Sequence, residues 1–326
     1  MDWFERLTGF RETGYEDTRR RLEVDGRQLR SHVNGRTYQI GDLELVSLQD
    51  LRLRAGSDHT AGQMRFDHVT GDIRQLHRAP EYAGALFQVA SQFNLLEMTS
   101  PDVTPEQGVT RYQHDRTQGP ACAIAAGAAT IYRNYFVPAG DGLGQTARRQ
   151  LDGIADVGAR LGEVTGLPVD RLWTMRNGYA LCSREGLAAI GTWLVGASAE
   201  EHDDLRSRLR IGLHRDVEVT DGDEQGRQIV SQAFCSALPV AYSSVPAAEW
   251  QPFAELVLEA AYEATLWAAV VNARRGASNV VLLTRLGGGA FGNDDTWIDR
   301  ALQRALLLAG NHDLDVRLVR YGAAKA

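Results

Sequence analysis

The sequence predicts an α/β fold with a mixed, partly parallel sheet flanked by helices. Three observations predict it. Asn279–Leu286 (NVVLLTRL) is a short apolar run of strand length. A glycine-rich loop, 287–292, follows it, and Trp297, Ile298, Ala301, Leu302, Ala305 and Leu306 then share one helical face. Asp315–Tyr321 alternates as a last strand. Strand, loop, helix and strand make a βαβ unit, whose strands run parallel and need a helix over them.

The other elements follow in chain order. The first 60 or so residues are polar and arginine-rich, and residues 1–75 read as an N-terminal extension packed on the core. They hold a helix, then short strands around an Asn34-Gly35 turn. The main domain spans 76–326. Leu86–Ala90 reads as a buried strand, and 99–120 as a turn-rich polar loop. ACAIAAGAATIYRNYF reads as a helix, or a helix running into a strand. The stretch 145–163 has helical spacing (Leu151, Ile154, Val157, Leu161), and 184–195 is a short helix. Ile229–Tyr242 alternates, with Pro239 marking a strand end or bulge. Trp250–Arg274 is a long helix.

Composition bounds the function. The 326 residues are 44% hydrophobic and 24% charged, an ordinary globular balance. The net charge is -7 with arginines interspersed among acids, which argues against nucleic acid as a partner. The three cysteines, Cys122, Cys182 and Cys235, form no CxxC pair, so neither a disulfide framework nor structural zinc is expected. The first residues show no apolar secretory core. The longest apolar stretch, 254–271, is interrupted by Glu255, Glu259 and Glu263 and reads as a buried helix, not a membrane span. A cytoplasmic location is expected, with no membrane partner and no cofactor.

Four polar segments carry candidate chemistry. The first is LTRLGGGAFGNDDTW. Glycines between a strand end and a helix N-terminus let the backbone approach a phosphate and offer it N–H donors. No Gly-Lys-Ser/Thr follows, and the loop nearly closes the chain, so it is neither a Walker loop nor a dinucleotide-fold GxGxxG. A plain glycine-rich turn is the alternative. The second is FQVASQFNLL, a strand ending in the amides Gln92 and Asn94. These suit ribose hydroxyls, or else cap their own turn. The third, Tyr112–Pro120, gathers Asp115, Thr117 and Gln118, with Arg133-Asn134-Tyr135 beyond. The fourth joins His214–Asp221 to Ser231–Pro239. A His214/Asp216 metal site lacks partners, there is no GxSxG elbow, and Cys235 reads as a small buried residue.

These segments together resemble a known family. LTRLGGGAFGNDDTWIDRAL resembles the second phosphate-binding loop of macrodomains, and FQVASQFNLL resembles their first. DRTQGPACAIAAG, YRNYF and SQAFCSALPVAY resemble a divergent branch related to poly(ADP-ribose) glycohydrolase folds, the MavL-like family of ADP-ribosyl-arginine hydrolases. The resemblance covers nearly the whole chain. It implies a macrodomain-like fold and removal of mono-ADP-ribose from protein side chains, most fittingly arginine, by cleavage at C1 of the distal ribose. It also implies ADP-ribose and an ADP-ribosylated protein as partners. A non-catalytic ADP-ribose reader and another nucleotide-using enzyme are the alternatives. Gly287, Gly288, Gly289, Ala290, Phe291 and Gly292 would hold the diphosphate, Asn293 would cap the loop, and Gln92 and Asn94 would hold the ribose. Thr117 and Gln118 would position water or partner groups. The family's paired-glutamate signature is missing, so the catalytic acid has no motif. Asp115 and Asp216 are the first candidates, then Asp294 and Asp295, although a helix-capping role suits that pair. Asp221 and Asp223 lie in an acidic turn that reads as solvated surface.

Overall fold

The computed structural model describes residues 1–56, 62–222 and 228–322. Its centre is a seven-stranded mixed sheet. In chain order the strands are β1 (Asp42–Ser47), β2 (Arg65–Thr70), β3 (Leu86–Ala90), β4 (Arg210–Glu218), β5 (Ile229–Cys235), β6 (Val280–Leu283) and β7 (Asp315–Arg320). Across the sheet they run β1-β4-β5-β3-β6-β7-β2. The β1/β4 and β4/β5 pairs are antiparallel, and the rest of the sheet is parallel. The expected α/β class with a mixed, helix-covered sheet is therefore what the chain forms, including the β6-helix-β7 unit.

The two faces of β3 show how the layers are held. Leu86 and Ala90 pack into the core shared with helix Ala247–Arg274, and Gln88 bonds Thr265 of that helix. Phe87 and Val89 point the other way, onto Ile73, Cys122, Ala126 and Ala129. A strand covered on both faces reads as a continuous apolar run, and this is why Leu86–Ala90 does not alternate. The helices on the second face include α1 (Gln118–Ala125) and α2 (Gly127–Tyr135). The first face carries α3 (Ala247–Arg274) and α4 (Asp295–Ala309). ACAIAAGAATIYRNYF is thus two helices, broken at Ala126 (φ −112°, ψ 58°), with no strand among them. Of the helical stretch expected at 145–163, residues 155–165 are helix and the segment before them is loop.

The three glutamates that interrupt α3 are spaced by four, so they share one helix face. Each meets arginine: Glu255 pairs with Arg300, Glu259 with Arg206, and Glu263 with Arg52 and Arg304. Among the described residues no helix is long and apolar enough to cross a membrane.

The N-terminal segment has two roles. Residues 22–39 build a separate three-stranded sheet, whose second hairpin turns at Asn34-Gly35 with Gly35 at φ +73°. Residues 42–47 and 65–70 are instead the two edge strands of the main sheet. Trp3, Phe4, Leu7 and Phe10 form a core with Leu96, Met98, Val109 and Tyr112 and with Ile124, Ala128 and Ile131 of α1 and α2. Trp3 Nε1 donates to Thr110 O at 3.2 Å. Glu12 accepts from the Val109 and Thr110 amides and from the Tyr135 hydroxyl. Residues 3–12 thereby clamp the 96–112 loop, which carries part of the cleft described next.

Candidate functional site

The sheet opens between β3 and β6. Their pairing ends at Leu282↔Phe87. Beyond it the strands part, and backbone groups need other partners. Gln118 supplies them: its Oε1 accepts from Ala90 N at 2.8 Å, and its Nε2 donates to Gln88 O at 2.7 Å. The Gln88 side chain accepts from Thr284 N at 3.2 Å. Two side-chain amides thus replace the ladder and hold the parting open. A cleft lies there, walled by the loops that follow β3, β5 and β6 and by the N-terminal end of α1. Ligands of open α/β sheets bind at such a carboxyl-end crevice.

The glycine-rich loop forms one wall. Gly287 takes φ +75° and Gly292 φ +68°. Asn293 locks the loop: its amide donates to Gly287 O, and its buried side chain donates to Leu238 O at 2.9 Å and Gly287 O at 3.4 Å. Among the described residues the amides of Gly287, Gly289, Ala290 and Phe291 have no acceptor, and all four residues line the cleft. Unspent N–H donors on one concave wall form an anion cradle. A Cβ on Gly287 would stand 2.6 Å from Ala237 Cβ and 2.7 Å from Asn293 Nδ2, whereas one on Gly289 meets nothing within 4 Å. Gly287→Ala is therefore expected to weaken anion binding at least tenfold, by about 1–2 kcal/mol of left-handed strain and loss of the Asn293 lock. Gly289→Ala is expected to bind as wild type. Calorimetric titration of the two variants with one nucleotide ligand checks this.

The opposite wall is the tight loop after β3. Gln92 staples it: Nε2 donates to Met98 O at 3.2 Å, and Oε1 accepts from Met98 N at 2.6 Å. Leu95 sits at φ +65°, a strained value for a leucine. Its carbonyl accepts from Arg133 Nε at 3.1 Å. This geometry turns Glu97 to the cleft, over Gly119, where a Cβ would lie 2.0 Å from Ala90 O and 3.2 Å from Glu97 Cγ. Glu97 is 1% exposed. Its Oε1 meets Arg133 Nη2 at 3.2 Å, and its Oε2 has no partner among the described residues. Burial raises its pKa to about 7, against the pull of Arg133. Tyr179, Tyr242 and Phe291 form an aromatic side of the cleft, with Phe291 5.3 Å from Tyr179 and 5.8 Å from Tyr242 between ring centres.

The candidate residues divide clearly. Gln92, Asp115, Thr117, Gln118, Gly287, Gly289, Ala290 and Phe291 line the cleft; Gly288 and Gly292 shape the loop behind its wall. Asp115 accepts from Thr117 N and Oγ1, and it stands half-buried beside α1. Asn94 is not on the wall. It is fully buried, bonding Leu96 N and Gln150, and so braces the loop from behind. Asp294 is exposed and caps α4 through Thr296 N and Oγ1; those bonds lower its pKa, which unfits it as a proton donor. Asp295 pairs with Arg285. Asp216 is at the other end of the sheet. β5 delivers Cys235 to the cleft end, and β4 runs antiparallel to it, pairing Val217 with Val230. Asp216 follows a register break there at φ +57° and pairs with Arg275. Asp221 is tied to Arg74, and Asp223 lies outside the described residues. His214 is fully buried beside Phe234, and burial with the nearby Arg133 charge holds its pKa well below the ordinary value. Among the described residues no group of three or more His, Cys, Asp or Glu could hold a metal ion.

Glu97 is the residue that sequence reasoning passes over. One signal was available: a lone acid between Leu95, Leu96 and Met98. Ionisable side chains are seldom buried unless paired, and Arg133, similarly set among apolar residues, was the partner to seek.

Fold and site define a mixed-sheet α/β protein whose cleft carries four backbone amides with no acceptor among the described residues and a buried carboxyl group. No protein-family model matches the chain, and no curated protein matches it in sequence. Among solved structures it is similar to poly(ADP-ribose) glycohydrolase from Deinococcus radiodurans in complex with ADP-ribose, at 12% identity over 86% of each chain and a TM-score of 0.44. It is also similar to poly(ADP-ribose) glycohydrolase from Thermomonospora curvata bound to the inhibitor ADP-HPD, at 13% identity over 94% of this chain and 89% of that one, with a TM-score of 0.45.

Proposed function

We propose that this chain is a macrodomain-like hydrolase that cleaves the glycosidic bond between ADP-ribose and a protein side chain, most fittingly arginine. One observation carries the reading: backbone amides with no acceptor among the described residues and a buried carboxyl of raised pKa share one cleft. In this arrangement the diphosphate accepts from the amides of Gly287, Gly289, Ala290 and Phe291. The adenosine side rests on the aromatic wall, and the distal ribose lies toward Glu97. Water attacks C1 of that ribose while the bond from C1 to the side-chain nitrogen breaks. The bonding pair leaves on the nitrogen, which takes a proton from Glu97, and the attacking water gives its own proton to the Glu97 carboxylate so formed. The transition state has oxocarbenium character, and the carboxylate of Asp115 at the mouth orients a guanidine leaving group. Thr117 fixes Asp115, and Gln118 fixes the strands that define the cleft.

Calorimetric titration with ADP-ribose, AMP and NAD tests binding, and release assays on arginine-linked and glutamate-linked substrates test the chemistry. Selective binding of ADP-ribose with release from arginine supports the whole reading. Selective binding without release makes the chain a reader. Equal or absent binding of all three ligands overturns it. Because Asp216 lies at the far end of the sheet, Asp216→Ala is expected to turn over as wild type in the same assay. A loss beyond about tenfold, more than an indirect effect of a surface charge supplies, would return Asp216 to the site.

A further inference from the structure

The cleft does not end at Asp115. A second, shallower cavity continues from it, sharing Thr99 and Asp115 and otherwise lined by Arg111, His114 and Arg116. It lies past Asp115, with no residue of the glycine-rich loop in its lining. Under the proposed function, on which this inference rests, that is the side on which the modified protein leaves. Its lining is cationic in a chain whose net charge is -7. Arg111 donates to Gln107, a neutral partner, and Arg116 is exposed with no acid partner among the described residues. The acids closest along the chain are committed elsewhere: Asp102 pairs with Arg176, and Glu106 takes the Ala147 amide. Asp115 itself is held by Thr117.

We propose that this cavity receives acidic residues flanking the modified side chain, so that the substrates are ADP-ribosylated segments with Asp or Glu beside the modified arginine. The geometry separates two charges. Asp115, at the junction of the cavities, faces the leaving guanidine, and Arg111 and Arg116 beyond it face its neighbours. A basic flank meets like charge there. Nucleic acid is the weaker occupant, because two arginines in a short cavity do not make a track for phosphates and the rest of the chain is acidic.

Exposed charge pairs act modestly and are screened by salt. With two of them, arginine-modified peptides bearing acidic flanks are expected to show kcat/KM about tenfold above neutral flanks, with basic flanks lower still. The order is expected to invert in the Arg111→Glu/Arg116→Glu protein and to collapse in about 0.5 M salt. Free ADP-ribosyl-arginine, which has no flanks, is expected to turn over alike in both proteins. Equal turnover of all three peptides, or a preference that survives charge reversal, overturns the inference and leaves the hydrolase reading intact. Absence of turnover on every substrate, the free compound included, removes the hydrolase reading. The flank preference is then read from binding of the same three peptides, where equal affinities overturn it.

Discussion

Glu97→Gln is expected to cut turnover by about 10²–10⁴-fold, the usual worth of a positioned general acid, while changing ADP-ribose affinity by less than about threefold. The substitution keeps the shape of the side chain and its place over Gly119. It removes the transferable proton and, with it, the carboxylate charge that faces Arg133. The amide cradle is on the opposite wall and is untouched. Release assays and calorimetry on the same preparation separate the two effects. Near wild-type release from Glu97→Gln would leave Asp115 as the carboxyl of the cleft and remove Glu97 from the reaction.

The same residue sets the pH dependence. Its folded pKa, about 7, lies above the ordinary glutamate value. The acid form is the active one, so the rate is expected to hold below that value and fall as pH rises through it. The stability has the same sign. A raised carboxyl binds an extra proton in the folded state between the ordinary value and about 7. That contribution is full at the acid end of this window and is lost as pH climbs toward 7. Glu97→Gln removes both the alkaline fall in rate and this part of the slope in stability.

Periodicity and punctuation make much of the fold legible in the sequence. The β6-loop-α4-β7 unit was plain because each element has a distinct signature: an apolar run, clustered glycines, a 3.6-residue stripe and an alternating strand. The break at Ala126 was not, since alanines and a glycine fit one long helix as well as two short ones, and only packing against Trp3 and Thr220 separates them. The edge strands β1 and β2 were hidden for a different reason. Half-exposed, charged strands carry little alternation, and Arg65–Thr70 is almost wholly exposed. In the site, glycines and amides advertise themselves by residue type, but position in the sheet does not. Asp216 looks as suitable as Asp115 along the chain. The antiparallel course of β4 is what takes it to the far end, and strand direction is a tertiary property.

Arg133→Met is expected to destabilise the protein by about 3–5 kcal/mol, the cost of stripping one partner from a buried ion pair. Arg133 is wholly buried, and burial lowers its pKa while the Glu97 charge opposes the shift. It donates to Glu97, to Thr130 Oγ1 at 3.0 Å and to the carbonyl of the strained Leu95, and its guanidinium lies 3.9 Å over the Phe234 ring. Lysine cannot reproduce a planar group that stacks and forks at once, so Arg133→Lys is expected to recover little. Urea unfolding measures the loss as a shifted midpoint at constant slope. The double variant Glu97→Gln/Arg133→Met is expected to be less destabilised than the sum of the singles by at least about 1 kcal/mol, since an unpaired charge no longer remains. Strict additivity would mean that the two side chains do not act as a pair. The rate profile distinguishes a working pair from a merely structural one. Without Arg133 the cation that favours Glu97 ionisation is gone, so the alkaline fall of the Arg133→Met protein is expected to move above pH 7. A limb that stays where it was would mean that Arg133 holds Leu95 and the loop in place without tuning the acid.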